Sequence, residues 1–207
     1  MNSNKILIYL LRYINKNKTN NIVLSGGKSL KNFYVFFLKY LNKKKIKVNI
    51  FLSDERCLSL SNKNLNQNLF KKETFFLPIL KRDKSFIKCA SLYEKKITKS
   101  PNFILLSVGN DGHIASIFEN SKALKSKKKI IFLDKKYYGF KRITLTLEYL
   151  KDKRVFLFCR NLLRFKTFIK CLKNKNHIIN NLYNVNNNVE LILKDKIIKK
   201  EIYKKIL

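Results

Sequence analysis

The sequence predicts an α/β fold: one domain over residues 1–207, with a mainly parallel sheet flanked by helices. Three observations carry this. Short apolar runs of strand length alternate with segments whose apolar residues recur at helical spacing, the pattern of a parallel sheet. Several of those runs stop abruptly at Ser, Gly or acidic residues, where a strand gives way to a turn. The chain has 207 residues and is 45% hydrophobic, enough for one sizeable core.

In order, residues 4–16 read as an amphipathic helix, with Ile6, Tyr9, Leu10 and Tyr13 at helical spacing. After a polar break, Ile22-Val23-Leu24 is a short buried strand ending at Ser25-Gly26-Gly27-Lys28-Ser29. The helix that follows carries Leu30, Phe33, Tyr34, Phe37, Leu38 and Leu41 on one face. Ile46 to Leu52 is the next strand and ends at Ser53-Asp54-Glu55-Arg56. Residues 57–74 are polar and Asn-rich, with a helical start over Leu65 to Phe70. Between 75 and 100 the pattern suggests a short strand near Phe86 to Lys88 and a helix before Pro101. Phe103 to Leu106 is a strand that stops at Ser107. Gly109 and Gly112 then bracket Asn110 and Asp111, His113 follows, and Ile114 to Phe118 resumes at helical spacing, so this stretch reads as strand, glycine turn and helix start. Lys129 to Leu133 is a strand. Arg142 to Leu147 alternates and leads toward a helix. Val155 to Cys159 is a strand, and Asn161 opens a helix with Leu162, Phe165, Phe168, Ile169 and Leu172 inward. The Asn/Lys tract at 174–188 reads as a loop. Val189 to Leu193 is the last strand, followed by a terminal helix.

The charge is extreme: 46 Lys+Arg against 13 Asp+Glu, a net of +33. Such a balance ordinarily points to nucleic acid or an anionic membrane surface. Arg, however, stands only at 12, 56, 82, 142, 154, 160 and 164. Lys, Asn, Ile, Phe and Tyr are abundant together, while Gly and Pro are scarce and Trp is absent, the mark of A/T-rich codons. The Lys residues are also scattered along the chain. They read as a solvated surface, with neither nucleic acid nor membrane as partner, whose field still draws in an anionic substrate. Cys57, Cys89, Cys159 and Cys171 show no C-x-x-C spacing and no His near enough for a zinc pattern, so no metal is expected. No apolar run reaches membrane length, and Ile6 to Leu11 is followed by no signal-cleavage pattern. The composition fits a reduced cytoplasmic protein whose cysteines pack in the core.

Three of the expected strand ends carry unusual chemistry. Ser25-Gly26-Gly27-Lys28-Ser29 sits between a strand and a helix, where glycines let the backbone approach a ligand and helix N–H groups favour a phosphate. It is not a nucleotide P-loop, because Ile22 stands where that pattern needs Gly. Asp54-Glu55-Arg56 offers two carboxylates and a guanidinium suited to bidentate phosphate or carboxylate contact, and can equally be a surface ion-pair cluster. The third loop carries Asp111 and His113. It can be a plain corner with Asp111 as a helix cap, or it can present His113 as a general base toward water, since no Ser or Cys nucleophile signature is present.

SGGKS, SDERC, GNDGHIAS and RITLT occur in that order. Together they resemble the 6-phosphogluconolactonase family, within the wider superfamily that includes glucosamine-6-phosphate deaminase. The resemblance runs from about residue 21 to the end. Ser25, Gly26 and Gly27 match the first loop, while Lys28, Ser29 and Leu30 replace the usual Ser, Thr and Pro. Asp54, Glu55 and Arg56 match fully. Asn66 matches an S-N pair whose Ser is here Leu65. Gly109, Asp111, Gly112, His113, Ala115 and Ser116 match the central loop, with Ser107 replacing its first Gly. Arg142 to Thr146 match. Asn161-x-x-Arg164 stands where G-x-x-K is usual.

The resemblance implies a Rossmann-like sheet and a lactonase that opens a phosphorylated sugar lactone without metal or organic cofactor, as a monomer or weak homo-oligomer. It assigns His113 to activation of water, with Asp111 or Asp54 assisting. Ser25, Gly26, Gly27, Lys28, Ser29, Arg56, Gly109 and Arg164 then contact the substrate, its phosphate held by Arg56, Arg164 and the 25–29 loop. Two rivals stand beside this. In the sister deaminases D-G-H-I-A is followed by F-N-E-P, with Glu five residues after the His, but that position is Phe118 here and Glu119 lies one later. A basic nucleic-acid-binding protein on a decayed scaffold would need clustered cations with stacking aromatics, whereas these aromatics fall on core-like faces.

Overall fold

The computed structural model of the chain describes residues 3–27, 29–193 and 196–198. In chain order the elements are α1 (Ser3–Leu11), β1 (Asn20–Leu24), α2 (Lys31–Lys43), β2 (Val48–Leu52), β3 (Asp54–Arg56), a 3-10 turn (Asn66–Leu69) and β4 (Phe76–Leu77). There follow α3 (Phe86–Lys96), β5 (Phe103–Ser107), α4 (Lys122–Lys125), β6 (Ile130–Tyr137), β7 (Phe140–Leu145) and α5 (Leu147–Leu150). The chain continues through β8 (Val155–Cys159), α6 (Leu162–Lys173), α7 (Ile178–Val185), β9 (Val189–Leu193) and β10 (Lys196–Ile198).

Seven strands form one sheet in the order β10-β9-β8-β5-β1-β2-β4, parallel except for the β10 edge. Its centre is apolar on both faces because helices cover both sides. Ile22, Leu24, Phe103, Leu105, Phe156 and Leu157 are fully buried. From β1 the chain moves outward through β2 and β4, then returns to lay β5 and β8 on the other side. The order therefore reverses between β1 and β5, and the crevice beyond the carboxyl ends of such strands is where open α/β sheets hold ligands. At that point Ser25 Oγ accepts the Ser107 N–H at 3.0 Å, tying the two strand exits together.

The chain leaves the main sheet at Ser53. Instead of a loop, Asp54–Arg56 forms a strand that pairs antiparallel with β7, and β7 pairs with β6 in a second, three-stranded sheet. The two sheets are stitched where Leu24 O accepts from Ser53 N (2.9 Å) and Ser53 O accepts from Leu145 N (2.8 Å).

Several expectations are corrected. The strand near Phe86 to Lys88 is the first turn of α3, since Ser85 is extended and its hydroxyl caps the Lys88 N–H at 3.2 Å. No helix starts after His113. Val108 bridges Ile114, Ile114 bridges Ile117, and Ala115 takes φ 50°, so Ile114 to Phe118 folds back as a buried irregular loop. The tract at 174–188 contains α7, capped by His177 and burying Ile178, Ile179, Leu182 and Tyr183 among its asparagines. Leu162 points outward, 55% exposed, because α6 buries Phe168, Cys171 and Leu172 instead. The first helix stops at Leu11, short of residue 16. The terminal helix falls largely on residues outside the described ones, and Lys196–Ile198 within it is a strand.

Tyr93 of α3 pins the end of β2: its hydroxyl accepts from Leu52 N at 2.7 Å and donates to Leu52 O at 2.9 Å, fully buried. Tyr93→Phe leaves both backbone groups unpaired, and urea denaturation should show a loss of about 1–3 kcal/mol of stability.

Candidate functional site

Exits of β1, β2, β5 and β8 converge on one cavity of about 490 Å³. Ser25, Gly26, Gly27 and Ser29 line it from the first loop, Asp54 and Arg56 from the second, Gly109 and His113 from the third, and Arg164 from α6. Lys28 lies outside the described residues. Asn66, Ser107, Asn110, Tyr138, Arg142 and Arg160 also line the cavity.

His113 is held by Asp111. Its Nδ1 lies 2.5 Å from Asp111 Oδ1, and Asp111 Oδ1 also accepts the His113 backbone N–H at 3.2 Å. Burial alone would raise the Asp111 pKa, but the bond and charge of His113, then the Tyr138 hydroxyl, hold this carboxyl far below the ordinary range. An ionised Asp111 can only accept, so Nδ1 carries the proton and Nε2 is left with its lone pair. The ring needs Gly109: a Cβ there would sit 2.3 Å from His113 Nδ1. On the other side the ring packs against Phe118, centroids 4.6 Å apart. The second histidine braces this loop from beneath. His177 Nδ1 accepts from Ile179 N at 3.1 Å, which leaves Nε2 to donate to Asp111 O at 3.3 Å.

Asp54 does not contact His113. Its oxygens accept from Ser53 Oγ (2.9 Å) and Ser116 Oγ (2.7 Å), and Arg142 Nη1 lies 3.9 Å away. Between the two carboxylates the sequence left in play, the geometry pairs Asp111 with the imidazole and builds Asp54 into the cavity floor.

Glu55 faces away from the cavity and organises its rim. It accepts backbone N–H groups of Arg56 (2.7 Å), Asn66 (2.8 Å) and Gln67 (2.7 Å). Asn66 is thereby set beside Gly26, where a Cβ would sit 2.1 Å from the Asn66 side chain.

The positive charge of the site is guanidinium charge. Arg56 lies over the Phe140 ring at 5.5 Å, its Nη1 donates to Asn64 O, and its Nε is buried without a partner among the described residues. Arg164 clamps two loops, donating to Ser29 Oγ (2.9 Å) on the first and to Ser107 Oγ (3.3 Å), Val108 O (2.9 Å) and Asn110 Oδ1 (3.0 Å) on the third. Burial first, then the nearby Arg160, lower the Arg164 pKa. Burial likewise lowers that of Arg142, with Asp54 opposing and Arg56 adding to the shift. Cations crowded and desolvated in this way favour an anionic ligand. Among the described residues no three His, Cys, Asp or Glu side chains group to hold a metal ion.

The sequence profile of the family described as glucosamine-6-phosphate isomerases/6-phosphogluconolactonase matches residues 3–161. The chain belongs to this family. A 6-phosphogluconolactonase of Borreliella burgdorferi is 34% identical over 129 residues, covering 55% of this chain and 54% of the relative. A probable 6-phosphogluconolactonase of Dictyostelium discoideum is 27% identical over 160 residues, 68% of each chain. The Borreliella match thus spans about half of that relative's length. The fold recurs in crystal structures of 6-phosphogluconolactonase from Thermotoga maritima (TM-score 0.71, 20% identity, 92% of each chain). It recurs also in the enzyme from Trypanosoma brucei (TM-score 0.71, 19% identity, 99% of this chain and 93% of that one). A monomeric glucosamine-6-phosphate deaminase shares it too, at TM-score 0.69 and 13% identity over 93% of this chain and 94% of that one. Fold alone therefore does not choose between the two activities of the family.

Sequence reasoning left Tyr138 unmarked, since a Lys-Lys-Tyr-Tyr-Gly stretch carries no chemical signature. Arg142 appeared only inside a matched strand motif, although a strand's period of two puts it on the same face as Thr144 and opposite Ile143.

Burial pushes the Glu55 carboxyl up from 4.5 to about 7, more than its three N–H bonds lower it. The folded state then keeps a proton that the unfolded chain releases, so this group makes stability fall as pH rises from about 4.5 to about 7. Urea midpoints across that window should decline in the parent protein and flatten in Glu55→Gln. Parallel slopes would show that Glu55 does not titrate there.

Proposed function

We propose that this chain hydrolyses 6-phospho-D-glucono-1,5-lactone to 6-phosphogluconate. The observation that carries the reading is the pairing of His113 Nδ1 with an ionised Asp111 at the wall of a cavity that four arginines also line. In this reading the free Nε2 takes a proton from water as its oxygen attacks the lactone carbonyl carbon. The tetrahedral oxyanion forms within the field of the arginines. Its collapse breaks the bond to the ring oxygen, which recovers the proton from Nε2, so the product is the open-chain acid. Asp111 keeps the tautomer and steadies the imidazolium.

The phosphate, at the far end of the substrate, is held by Arg56, which lines the cavity, with Arg164 and the Ser25–Ser29 loop beside it. Gly26 and Gly27 let the backbone approach, and Asp54 holds Ser116 and Arg142 in place. No step draws on a metal or organic cofactor. Water is the nucleophile in this scheme because the thiol at the β8 exit is inert: burial pushes Cys159 up to about 12.

The deaminase reading is less well supported. Where the sister enzymes place a glutamate, Phe118 packs against the imidazole at a tilt of 41°, and Glu119 is exposed. We place the protein in the cytoplasm as a single domain acting on a small molecule. The four cysteines are free, and among the described residues no helix is long and apolar enough to cross a membrane.

A coupled assay on freshly prepared lactone, corrected for spontaneous opening, tests the activity, and a wild-type rate equal to the uncatalysed one sinks it. His113→Ala should lower kcat by about 10²–10⁴-fold with little change in 6-phosphogluconate binding. An unchanged kcat would remove His113 from the chemistry. Arg56→Ala should chiefly raise KM and the 6-phosphogluconate Kd, roughly tenfold or more for a lost charged contact.

A further inference from the structure

The β6–β7 hairpin turns at Tyr138-Gly139, with Tyr137 paired to Phe140. Both turn residues have positive φ, 52° at Tyr138 and 81° at Gly139. That backbone matches the twist of the flanking strands, but Asn, Asp or Gly usually fill the first position, and a bulky Tyr there is strained. The side chain repays this with contacts from the second sheet to the histidine loop of the first. Its hydroxyl donates to Asp111 Oδ2 at 2.7 Å, and its ring centroid lies 6.0 Å from His113 and 5.8 Å from Phe118. The stem is steadied by Tyr137 stacked on Phe118 at 4.4 Å, interplanar angle 6°.

We propose that Tyr138 is a positioning residue for His113, its hydroxyl fixing Asp111 and setting how strongly that carboxylate holds the imidazole proton. The inference rests on His113 as the base. Asp111 divides its two oxygens, Oδ1 to His113 and Oδ2 to Tyr138. A hydroxyl donating to Oδ2 draws off charge that would otherwise stabilise the imidazolium. Without it the imidazolium is favoured and the free base is reached only at higher pH. The other charged or titratable groups facing this trio stay in place when the hydroxyl is removed. They are Arg142 on β7, Arg164, Lys170 and Cys171 on α6, Glu119 beside Phe118, and His177 under Asp111.

Tyr138→Phe removes the hydroxyl and keeps the ring in an exposed turn. With only two histidines in the chain, the imidazole Cε1–H signals can be followed by NMR across pH, assigned with His113→Gln. The His113 midpoint should rise by about 0.5–1 pH unit in Tyr138→Phe while that of His177 holds. The acid limb of kcat/KM should move up equally, a loss of about three- to tenfold below that limb. An unmoved or lowered His113 midpoint overturns the proposal, and so does lost activity without a midpoint shift, which would mean that Tyr138 only shapes the cavity. The titration needs no substrate, so a wild-type protein inert toward the lactone would defeat the functional reading while the NMR result still judges Tyr138.

Discussion

The site depends on one buried carboxylate. Asp54 opens β3 directly after Ser53, at the point where the chain passes from the parallel sheet to the antiparallel one. A carboxylate that deep is costly unless its oxygens are paired. Its partners come from three places: Ser53 on its own strand exit, Ser116 in the loop beyond His113, and Arg142 on β7. Satisfying one charge therefore fixes the distance between the two sheets and the course of the histidine loop. Ser116 is held twice over, since its N–H also donates to Thr144 Oγ1 at 3.0 Å. Arg142 in turn reaches back to Ser116 Oγ at 3.3 Å and to Tyr137 O at the hairpin stem.

That junction explains how two nearby aspartates come to differ. Asp54 is nearly sealed and its oxygens are committed to hydroxyls and a guanidinium. Asp111 is part-exposed on a loop and has one oxygen for an imidazole and one for a phenol. In the proposed reaction the first serves architecture and the second serves the proton. The histidine loop can be irregular because so much else holds it: Gly109 gives room, Phe118 covers one face, and His177 donates from below. A helix start after His113 would have aimed Ile114 and Ile117 along one stripe. The bridges through Val108 and Ile114 instead bury both and leave the imidazole at the cavity wall.

Much of this was legible in the sequence, for identifiable reasons. The central strands β1, β2, β5, β8 and β9 are short apolar runs with sharp polar ends, and a doubly covered parallel sheet imposes that pattern. The loops that close the cavity were legible because glycines, carboxylates and arginines have few other uses at strand ends. The reading failed where the period is ambiguous. Phe86-Ile87-Lys88 is too short to separate strand from helix, and only the Ser85 cap decides it. In α7 the Asn-rich composition hid Ile178, Ile179, Leu182 and Tyr183 at helical spacing. Asp54-Glu55-Arg56 as a strand was not legible, because its partner β7 lies more than eighty residues away and local pattern carries no trace of that pairing. The same holds for Tyr138, whose contact with Asp111 exists only once the two sheets are docked.

Charge makes the sharper argument. Nearly all the basic residues of this chain are lysines, and only seven of its 46 basic residues are arginine. Four of those seven, Arg56, Arg142, Arg160 and Arg164, line the cavity that holds His113. If the scattered lysines reflect codon composition, the arginines mark positions where an ammonium would not serve. Arg164 shows why: from Nε and Nη1 its guanidinium reaches acceptors on two separate loops across a fixed fork, a span that a compact ammonium does not cover. Arg142 likewise spans Ser116 and Tyr137 O while staying charged beside Asp54. The net charge of +33 gives a diffuse field that attracts any anion. The clustered guanidiniums add fixed direction to that field, and they add it at the carboxyl edge of the sheet where His113 stands.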